Sequence, residues 1–179
     1  ACWKPLGDTL SLLRAVKRPE EIEKMERAER IGDEAFSYIL NELKPGVTEL
    51  QIAAKLEYFM RSQGAEGTSF DTIVASGLHS AMPHAVPTEK LLEKGDFVTM
   101  DFGCKYQGYC SDMTRTVVIG KADEKQKELY RIVLEAQEAA LCGLRPGITG
   151  SEGDRLARDG IEKAGYGEYF GHGLGHSVR

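Results

Sequence analysis

The sequence predicts an α+β fold made of two related halves. Three observations predict it. Apolar periodicity indicates two pairs of helices, β-forming segments lie between the pairs, and the two pairs are related by a constant shift along the chain. The 179 residues are 41% hydrophobic and 28% charged. This composition is that of an ordinary globular protein, not of a disordered or collagen-like chain.

The first helical pair is predicted from apolar spacing and its end signals. Apolar residues recur at helical spacing from Pro19, which suits a first helical turn, to just before Pro45. A second helix is predicted to begin after Thr48, because Thr48 followed three residues later by Gln51 has the pattern of a capping box. Gly64 is the expected stop of this helix.

The central part of the sequence predicts strands. Residues 70–75 and 96–104 are rich in β-forming side chains, and residues 109–119 are the expected return strand. A short turn at residues 106–108 would join the last two strands. Residues 77–88 contain two prolines and are expected to form a loop.

The second helical pair repeats the first. Helices are predicted over residues 124–142 and 151–164. A shift of 101 positions aligns nine identical residues. In the first copy they are Arg30, Ile31, Glu34, Ala35, Leu43, Pro45, Gly46, Thr48 and Gly64. We interpret this as an internal duplication, with halves at residues 18–120 and 121–179 and with residues 1–17 as a linker or lead-in.

Charge and cysteine usage narrow the classes of protein. The net charge is −5 and no dense run of Lys or Arg occurs, so neither nucleic acid nor a membrane is an expected partner. No apolar run reaches the roughly 18 to 20 residues that span a bilayer. Four cysteines without a CxxC pair are typical of a reducing compartment, so we expect a cytoplasmic protein without a cysteine-bound zinc.

Two aspartates of the hairpin are the first candidates for a chemical site. With the turn centred on residues 106–107, Asp101 and Asp112 would lie opposite one another, whereas a three-residue turn would need a β-bulge to bring them to one face. Carboxylates about 4 Å apart repel by about 4 kcal/mol at an effective dielectric constant of 20. Arg115, Lys105, a proton held by one carboxylate or a divalent cation could offset this repulsion, and solvated aspartates at a turn are the alternative.

Histidines strengthen the metal hypothesis. The chain has four, of which His172 and His176 lie in one glycine-rich segment, GHGLGH. His84 follows the first predicted strand in a loop. We interpret His79 as structural. A pair of histidines spaced by four residues is a more specific signal than a single one.

Several longer segments match a known family. They are GAEGTSFDTIVASG, SAMPH, GDFVTMDFG, GYCSDMTRT, EAQEAA, YGEYFGHGLGHS and the repeated K/R-PG-V/I-T. They closely resemble the proline-specific aminopeptidases and dipeptidases, aminopeptidase P and Xaa-Pro dipeptidase, of the pita-bread metallopeptidases. The resemblance extends from Leu13 to Ser177. It implies a pita-bread catalytic domain over residues 18–179, with two pseudo-symmetric helix and antiparallel-sheet halves of which the second is incomplete.

The resemblance also implies a dinuclear metal site of two aspartates, one histidine and two glutamates. Carried onto this chain, Asp101, Asp112 and His176 are the expected metal ligands. His172 resembles the histidine beside the ligand, and His84 resembles the histidine near the scissile bond. Manganese is the expected metal, with cobalt or zinc as alternatives, because oxygen-rich ligation suits harder ions. The two ions would activate a water and polarise the carbonyl, and His84 or His172 would donate hydrogen bonds.

The predicted activity is hydrolysis of the N-terminal Xaa-Pro bond of a peptide with proline at the second position. We expect this chain itself to be an inactive, C-terminally truncated piece, because the resemblance places both glutamate ligands beyond Arg179. The second copy of the repeat also lacks roughly forty residues of the first. The oligomeric state is left open, with a homodimer as one option.

Two alternatives remain. The first is another hydrolase of the same fold, a methionine aminopeptidase or a creatinase-like enzyme, although the SFDTIVASG and GYCSDMTRT segments favour the proline-specific branch. The second is a pita-bread module that has lost its metals and binds peptides or proteins. The presence of Asp101, Asp112 and His176 disfavours the second alternative.

Overall fold

A computed structural model describes residues 6–176 and divides them into two compact units, residues 6–121 and residues 122–176. The helices of the first unit are α1 (Thr9–Ala15), α2 (Pro19–Ile39) and α3 (Glu49–Ser62). Its strands are β1 (Gly67–Thr68), β2 (Ile73–Ser76), β3 (Phe97–Phe102), β4 (Cys104–Tyr106), β5 (Tyr109–Cys110) and β6 (Met113–Val118). A 3-10 helix follows β2 at Gly77–Ala81. Helices and antiparallel strands together confirm the predicted α+β class.

The strands of the first unit form two small antiparallel sheets. One has the order β1-β4-β5 and the other has the order β2-β3-β6. In β3, alternate residues are buried, among them Val98, Met100 and Phe102. These side chains meet the buried faces of α2 and α3, which include Ile31 and Leu56. The core therefore lies on one face of the sheet, and the residues between the buried ones of β3 face the other way.

One register runs through the whole hairpin. Phe97 lies opposite Val118 at its open end, and Tyr106 lies opposite Tyr109 at its tip. The turn is therefore the two residues Gln107 and Gly108, which have positive φ angles of 47° and 84°. Two positive φ angles in a two-residue turn are characteristic of hairpins whose strands twist normally. The expected short turn within residues 106–108 is confirmed, but it is neither centred on residues 106–107 nor three residues long.

A close backbone approach divides the hairpin into its two sheets. A Cβ atom on Gly103 would lie 2.0 Å from the carbonyl oxygen of Ser111. The fully buried Ser111 accepts a hydrogen bond on Oγ from the backbone N–H of Cys104 at 2.9 Å, and its own N–H donates to the Cys104 carbonyl at 2.9 Å. Only glycine fits at position 103, between the two candidate aspartates.

The second unit is a helical hairpin. It contains α4 (Glu124–Gly143), α5 (Gly150–Lys163) and a 3-10 helix at Gly167–Tyr169. A small core of Ala136, Ala140, Ala157 and Ile161 joins the two helices. Phe170 and Leu174, partly buried, pack against this core.

The second helices of the two pairs, α3 and α5, begin and end at equivalent positions. Shifted by 101 positions, the bounds of α3 coincide with those of α5. Thr48 and Thr149 cap the two helices through capping boxes. The glycines before and after each helix have similar positive φ angles, 88° and 98° at Gly46 and Gly64, and 92° and 86° at Gly147 and Gly165. These shared capping contacts support the internal duplication.

Some predicted boundaries were wrong. Helix α2 ends at Ile39, not just before Pro45. Leu40 to Leu43 keep the apolar spacing of a helix but form a turn. The N–H groups of this turn donate to the carbonyls of Phe36, Tyr38 and Ile39. Strand β2 begins at Ile73, not at Phe70. The lead-in contains α1, which buries none of its residues. Across residues 6–176, no helix is long and apolar enough to cross a membrane.

Candidate active site

Asp101 lies near the end of β3, on the face turned away from the core. Its neighbours Met100 and Phe102 are fully buried, whereas Asp101 is partly exposed. It pairs across the hairpin with Thr114, whose hydroxyl donates to Asp101 Oδ1 at 3.0 Å. This hydrogen bond restrains the orientation of the Asp101 carboxylate.

Asp112 lies on the same hairpin, just before β6. The register on both sides places it opposite Gly103, and therefore one step along the hairpin from the pair of Asp101 and Thr114. Because side chains alternate between the two faces, Asp112 and Thr114 belong to the same face. The aspartates are diagonal neighbours, not the directly opposed pair that was predicted, and no bulge is needed to bring them to one face.

Helix α2 holds the backbone at Asp112. The Asp112 N–H donates to Glu29 Oε1 at 3.2 Å. Burial raises the pKa of the Glu29 carboxyl above its ordinary value, the hydrogen bond from Asp112 opposes this effect, and the charges of Asp112 and Asp33 add to it. No sequence pattern points to Glu29, which is one of many charged residues along a long amphipathic helix.

Arg115 does not serve as the predicted partner of the two aspartates. It lies opposite the buried Met100, on the side of the sheet that faces α2. There its guanidinium is 3.7 Å from Asp33 Oδ1 and 5.8 Å from the centre of the Phe36 ring. Because side chains of a strand alternate between its two faces, Arg115 lies on the face opposite to Asp101 and does not offset the repulsion between the two carboxylates.

His84 is exposed in the loop between β2 and β3. Residues 77–87 of this loop are held on both sides, at Ser76 and Thr88, by the carboxylate of Glu49, the first residue of α3, which is 0% exposed. Glu49 Oε1 accepts from the Ser76 N–H at 2.7 Å and from its hydroxyl at 2.9 Å. Glu49 Oε2 accepts from the Thr88 N–H at 3.0 Å and from its hydroxyl at 2.7 Å.

His79 completes this buried group. Its Nδ1 lies 3.1 Å and 3.0 Å from the two Glu49 oxygens, which fits its interpretation as structural. Burial alone would raise the pKa of Glu49, but the hydrogen bonds that it accepts outweigh burial and hold the pKa below its ordinary value. Sequence analysis missed Glu49, because a glutamate in the first turn of a helix is usually explained by the helix dipole alone.

His172 and His176 are exposed in the segment after α5. His172 Nδ1 lies 3.0 Å from the carbonyl oxygen of Gly173. The segment is attached to α5 by two side chains that sequence analysis also missed, Asp154 and Arg158. Hydrogen bonds from Arg158 and from the Leu174 N–H lower the pKa of Asp154 below its ordinary value.

The donor set of the first unit fits a hard divalent ion. Asp101 and Asp112 supply carboxylate oxygens on one face of the sheet, and carboxylate oxygens are the donors that such ions prefer. A hydroxyl donates to the carboxylate of Asp101, as expected for an oriented ligand. His176 belongs to the second unit. Within residues 6–176, no group of three or more His, Cys, Asp or Glu side chains is arranged to hold an ion.

The hairpin that carries Asp101 and Asp112 packs on one helical pair, and a second helical pair follows it in the chain, as the sequence resemblance to the pita-bread metallopeptidases implies. The sequence profile of metallopeptidase family M24 matches residues 23–179, and the chain belongs to that family. The family resemblance found in the sequence is thereby confirmed.

Relatives and solved structures agree with this assignment. The chain is 48% identical over 176 residues to a Xaa-Pro dipeptidase of Pyrococcus horikoshii, covering 98% of this chain and 50% of that protein. The structure of a Xaa-Pro dipeptidase from Bacillus anthracis superposes with a TM-score of 0.95 at 52% identity, covering 97% of this chain and 49% of the other. An X-Pro aminopeptidase from Thermotoga maritima gives a TM-score of 0.94 at 48% identity, covering 97% and 49%. The chain thus spans about half the length of these relatives.

Proposed function

We propose that the protein containing this chain is a metal-dependent peptidase that hydrolyses the N-terminal Xaa-Pro bond of peptides. The observation that supports this most is the shared face of Asp101 and Asp112 in a chain of family M24. The relatives named Xaa-Pro dipeptidase and X-Pro aminopeptidase support proline specificity. The substrate is a peptide with proline at its second position.

In this proposal Asp101, Asp112 and His176 hold two divalent ions, with manganese preferred over cobalt or zinc. When bound, such ions supply an activated water and polarise the scissile carbonyl. Glu29 positions the backbone of Asp112. His84 or His172 donates hydrogen bonds to the substrate or to the oxyanion that develops on its carbonyl oxygen.

A substrate panel tests the proposal. The longest gene product that contains this sequence is assayed with manganese against a Xaa-Pro dipeptide, a Xaa-Pro tripeptide, a peptide beginning with Met-Ala, and creatine. We expect cleavage of the Xaa-Pro substrates alone, lost on chelation and restored by manganese. Preference for the dipeptide over the tripeptide would identify a dipeptidase, and the reverse would identify an aminopeptidase.

The same panel tests the alternatives. Cleavage of the Met-Ala peptide or of creatine would replace the proposal with another hydrolase of the fold. Binding of peptides without turnover and without a chelatable metal would identify a binding module. Neither alternative is favoured by a contact in the structure.

We also propose a cytoplasmic location, which rests on the spacing of the cysteines in the sequence. Cell fractionation of a tagged protein checks it, and recovery outside the cytoplasm would contradict it.

A further inference from the structure

Two side chains of α5 hold residues 170–176, the segment that carries His172 and His176. Arg158 and Asp154, one helical turn apart, form a two-pronged ion pair, with Nε 2.5 Å from Oδ2 and Nη2 3.0 Å from Oδ1. Both are about a quarter exposed, at 27% and 25%. Such a bidentate pair fixes both side chains in one orientation and leaves further donors of the guanidinium free to bond elsewhere.

The remaining donors and acceptors of this pair bond the backbone of the segment. Arg158 Nη1 donates to the Phe170 carbonyl at 2.8 Å, and its Nη2 donates to the His172 carbonyl at 2.9 Å. In return, Asp154 Oδ1 accepts from the Leu174 N–H at 2.9 Å. The backbone is thus held two residues before His172, at His172 itself and two residues after it.

Packing against the second unit reinforces the attachment at Phe170 and Leu174, whereas the residues between and after them are mostly exposed. The Arg158 guanidinium lies 4.4 Å from the centre of the Phe170 ring, and Leu174 packs against the small core. His172, Gly173 and Gly175 are exposed, and no strand is found within residues 122–176 to hold this segment by ladder hydrogen bonds. Within the described part of the second unit, the pair of Asp154 and Arg158 makes three hydrogen bonds to the backbone of residues 170–174.

The internal duplication shows that these contacts are particular to the second copy. At the shift of 101 positions, Asp154 and Arg158 correspond to Ala53 and Glu57. In the first copy, the segment after α3 leads instead into β2, which is held by pairing with β3. The second copy thus has an ion pair that the first copy lacks, and this pair contacts the segment that carries the two histidines.

We propose that Asp154 and Arg158 are positioning residues that fix the backbone of residues 170–174 and thereby set the directions of His172 and His176. The role in metal binding rests on the proposed function, whereas the attachment of the segment does not. Residues that orient a metal ligand typically contribute 10-fold to 100-fold to metal affinity or activity.

The first experiment measures the attachment. Amide hydrogen exchange of residues 170–176 is followed, without metal, in the longest gene product that contains this sequence. Arg158→Lys keeps the charge but loses the fork, and we expect exchange at the Leu174 amide to accelerate about 10-fold or more. Arg155→Lys and Asp159→Asn change exposed residues of the same types on the same helix and should leave exchange unaltered.

A charge swap separates positioning from simple ion pairing. The double variant Asp154→Arg with Arg158→Asp keeps an ion pair but exchanges the donor and acceptor positions that the backbone requires. We expect it to remain as fast-exchanging as Arg158→Lys. If the swap restores slow exchange, or if Arg158→Lys never accelerates it, the proposal is overturned.

The second experiment measures the consequence for the site. Manganese affinity and the separate kcat and KM values for a Xaa-Pro peptide are determined for the same variants, together with their thermal unfolding. We expect manganese affinity and kcat to fall about 10-fold in Arg158→Lys and in the swap. The unfolding temperature of both variants should stay close to that of the wild type. Faster exchange with unchanged affinity and kcat would overturn the positioning role. A wild type that neither binds manganese nor cleaves the peptide would refute the proposed function, and the exchange experiment would still decide the attachment.

Discussion

At the scale of single residues, Gly103 allows the close approach of the two chain segments that carry Asp101 and Asp112. Its Cα hydrogens face the Ser111 carbonyl oxygen, where a Cβ atom would lie at 2.0 Å. Gly103→Ala should therefore destabilise the protein by about 1 to 3 kcal/mol, since the backbones of both strands must move apart. Thermal or urea unfolding measures the change.

A second glycine supplies the control for this prediction. Gly160 lies in α5 with nothing within 4 Å of an added Cβ. Gly160→Ala should stabilise by about 0.5 to 1 kcal/mol, because alanine favours helix. An unfolding temperature for Gly103→Ala equal to that of the wild type would contradict the close approach.

Glu49 is the second residue on which the fold depends. Its buried carboxylate accepts hydrogen bonds from Ser76, His79 and Thr88. Glu49→Gln should cost about 2 to 3 kcal/mol, because charge-assisted hydrogen bonds are lost and an amide N–H₂ faces donors. Urea unfolding at about pH 7 tests this, with the exposed Glu89→Gln as the matched control.

The acid stability of the protein should also depend on Glu49. The folded pKa of Glu49 is lowered, so the unfolded chain binds more protons between the two pKa values. The stabilisation is complete above the unfolded value of about 4.3 and is lost as the pH falls through the folded value. Unfolding between about pH 6 and pH 3 should therefore show a smaller loss of stability in Glu49→Gln than in the wild type. Equal slopes would contradict this assignment.

At the scale of elements, the helices were the most predictable part of the fold. Capping boxes and stop glycines are local, so α3 and α5 were predicted within two residues of their bounds. The end of α2 was mispredicted because Leu40 and Leu43 keep the apolar spacing while the backbone leaves the helix. Helix α1 was missed because it buries nothing and so shows no strong apolar period.

The hairpin register was less predictable than the helices, since it depends on which two residues form the turn. Placing the turn at Gln107 and Gly108 instead of at residues 106–107 moves every cross-strand partner by two residues along the opposite strand. A shift of two keeps each side chain on its face, which is why Asp101 and Asp112 share a face despite the wrong turn. Glu29, Glu49, Asp154 and Arg158 were not predicted at all, because their roles arise from contacts between distant segments.

The two caps give a prediction at this scale. Thr48→Ala and Thr149→Ala each remove the side-chain oxygen that accepts from the N–H at the third helical position, that of Gln51 or Glu152. Each substitution should cost about 1 kcal/mol. Faster amide exchange at Gln51 or Glu152 should accompany it. Ser37→Ala, on the exposed face of α2, should be nearly neutral, and unchanged exchange in both cap variants would contradict the capping roles.

At the scale of the whole molecule, the chain carries the first-unit aspartates of the proposed site and spans about half of its relatives. We predict that the 179-residue chain alone, assayed with a Xaa-Pro dipeptide and manganese, shows no robust turnover. The physical reason is that the proposed ligands Asp101, Asp112 and His176 include only two carboxylates, whereas a pair of divalent ions needs more anionic ligands. Robust turnover by this chain would show that the glutamates implied by the family resemblance are dispensable.

The most direct test of the central claim is the metal content of the longest gene product that contains this sequence. After loading with manganese and dialysis, the wild type and the exposed-residue control Asp71→Asn should retain about two ions per chain by elemental analysis. Asp101→Asn and Asp112→Asn should each retain less than half of that amount while unfolding at a temperature close to that of the wild type. Full retention of manganese in both asparagine variants would contradict the claim that these two aspartates form the metal site.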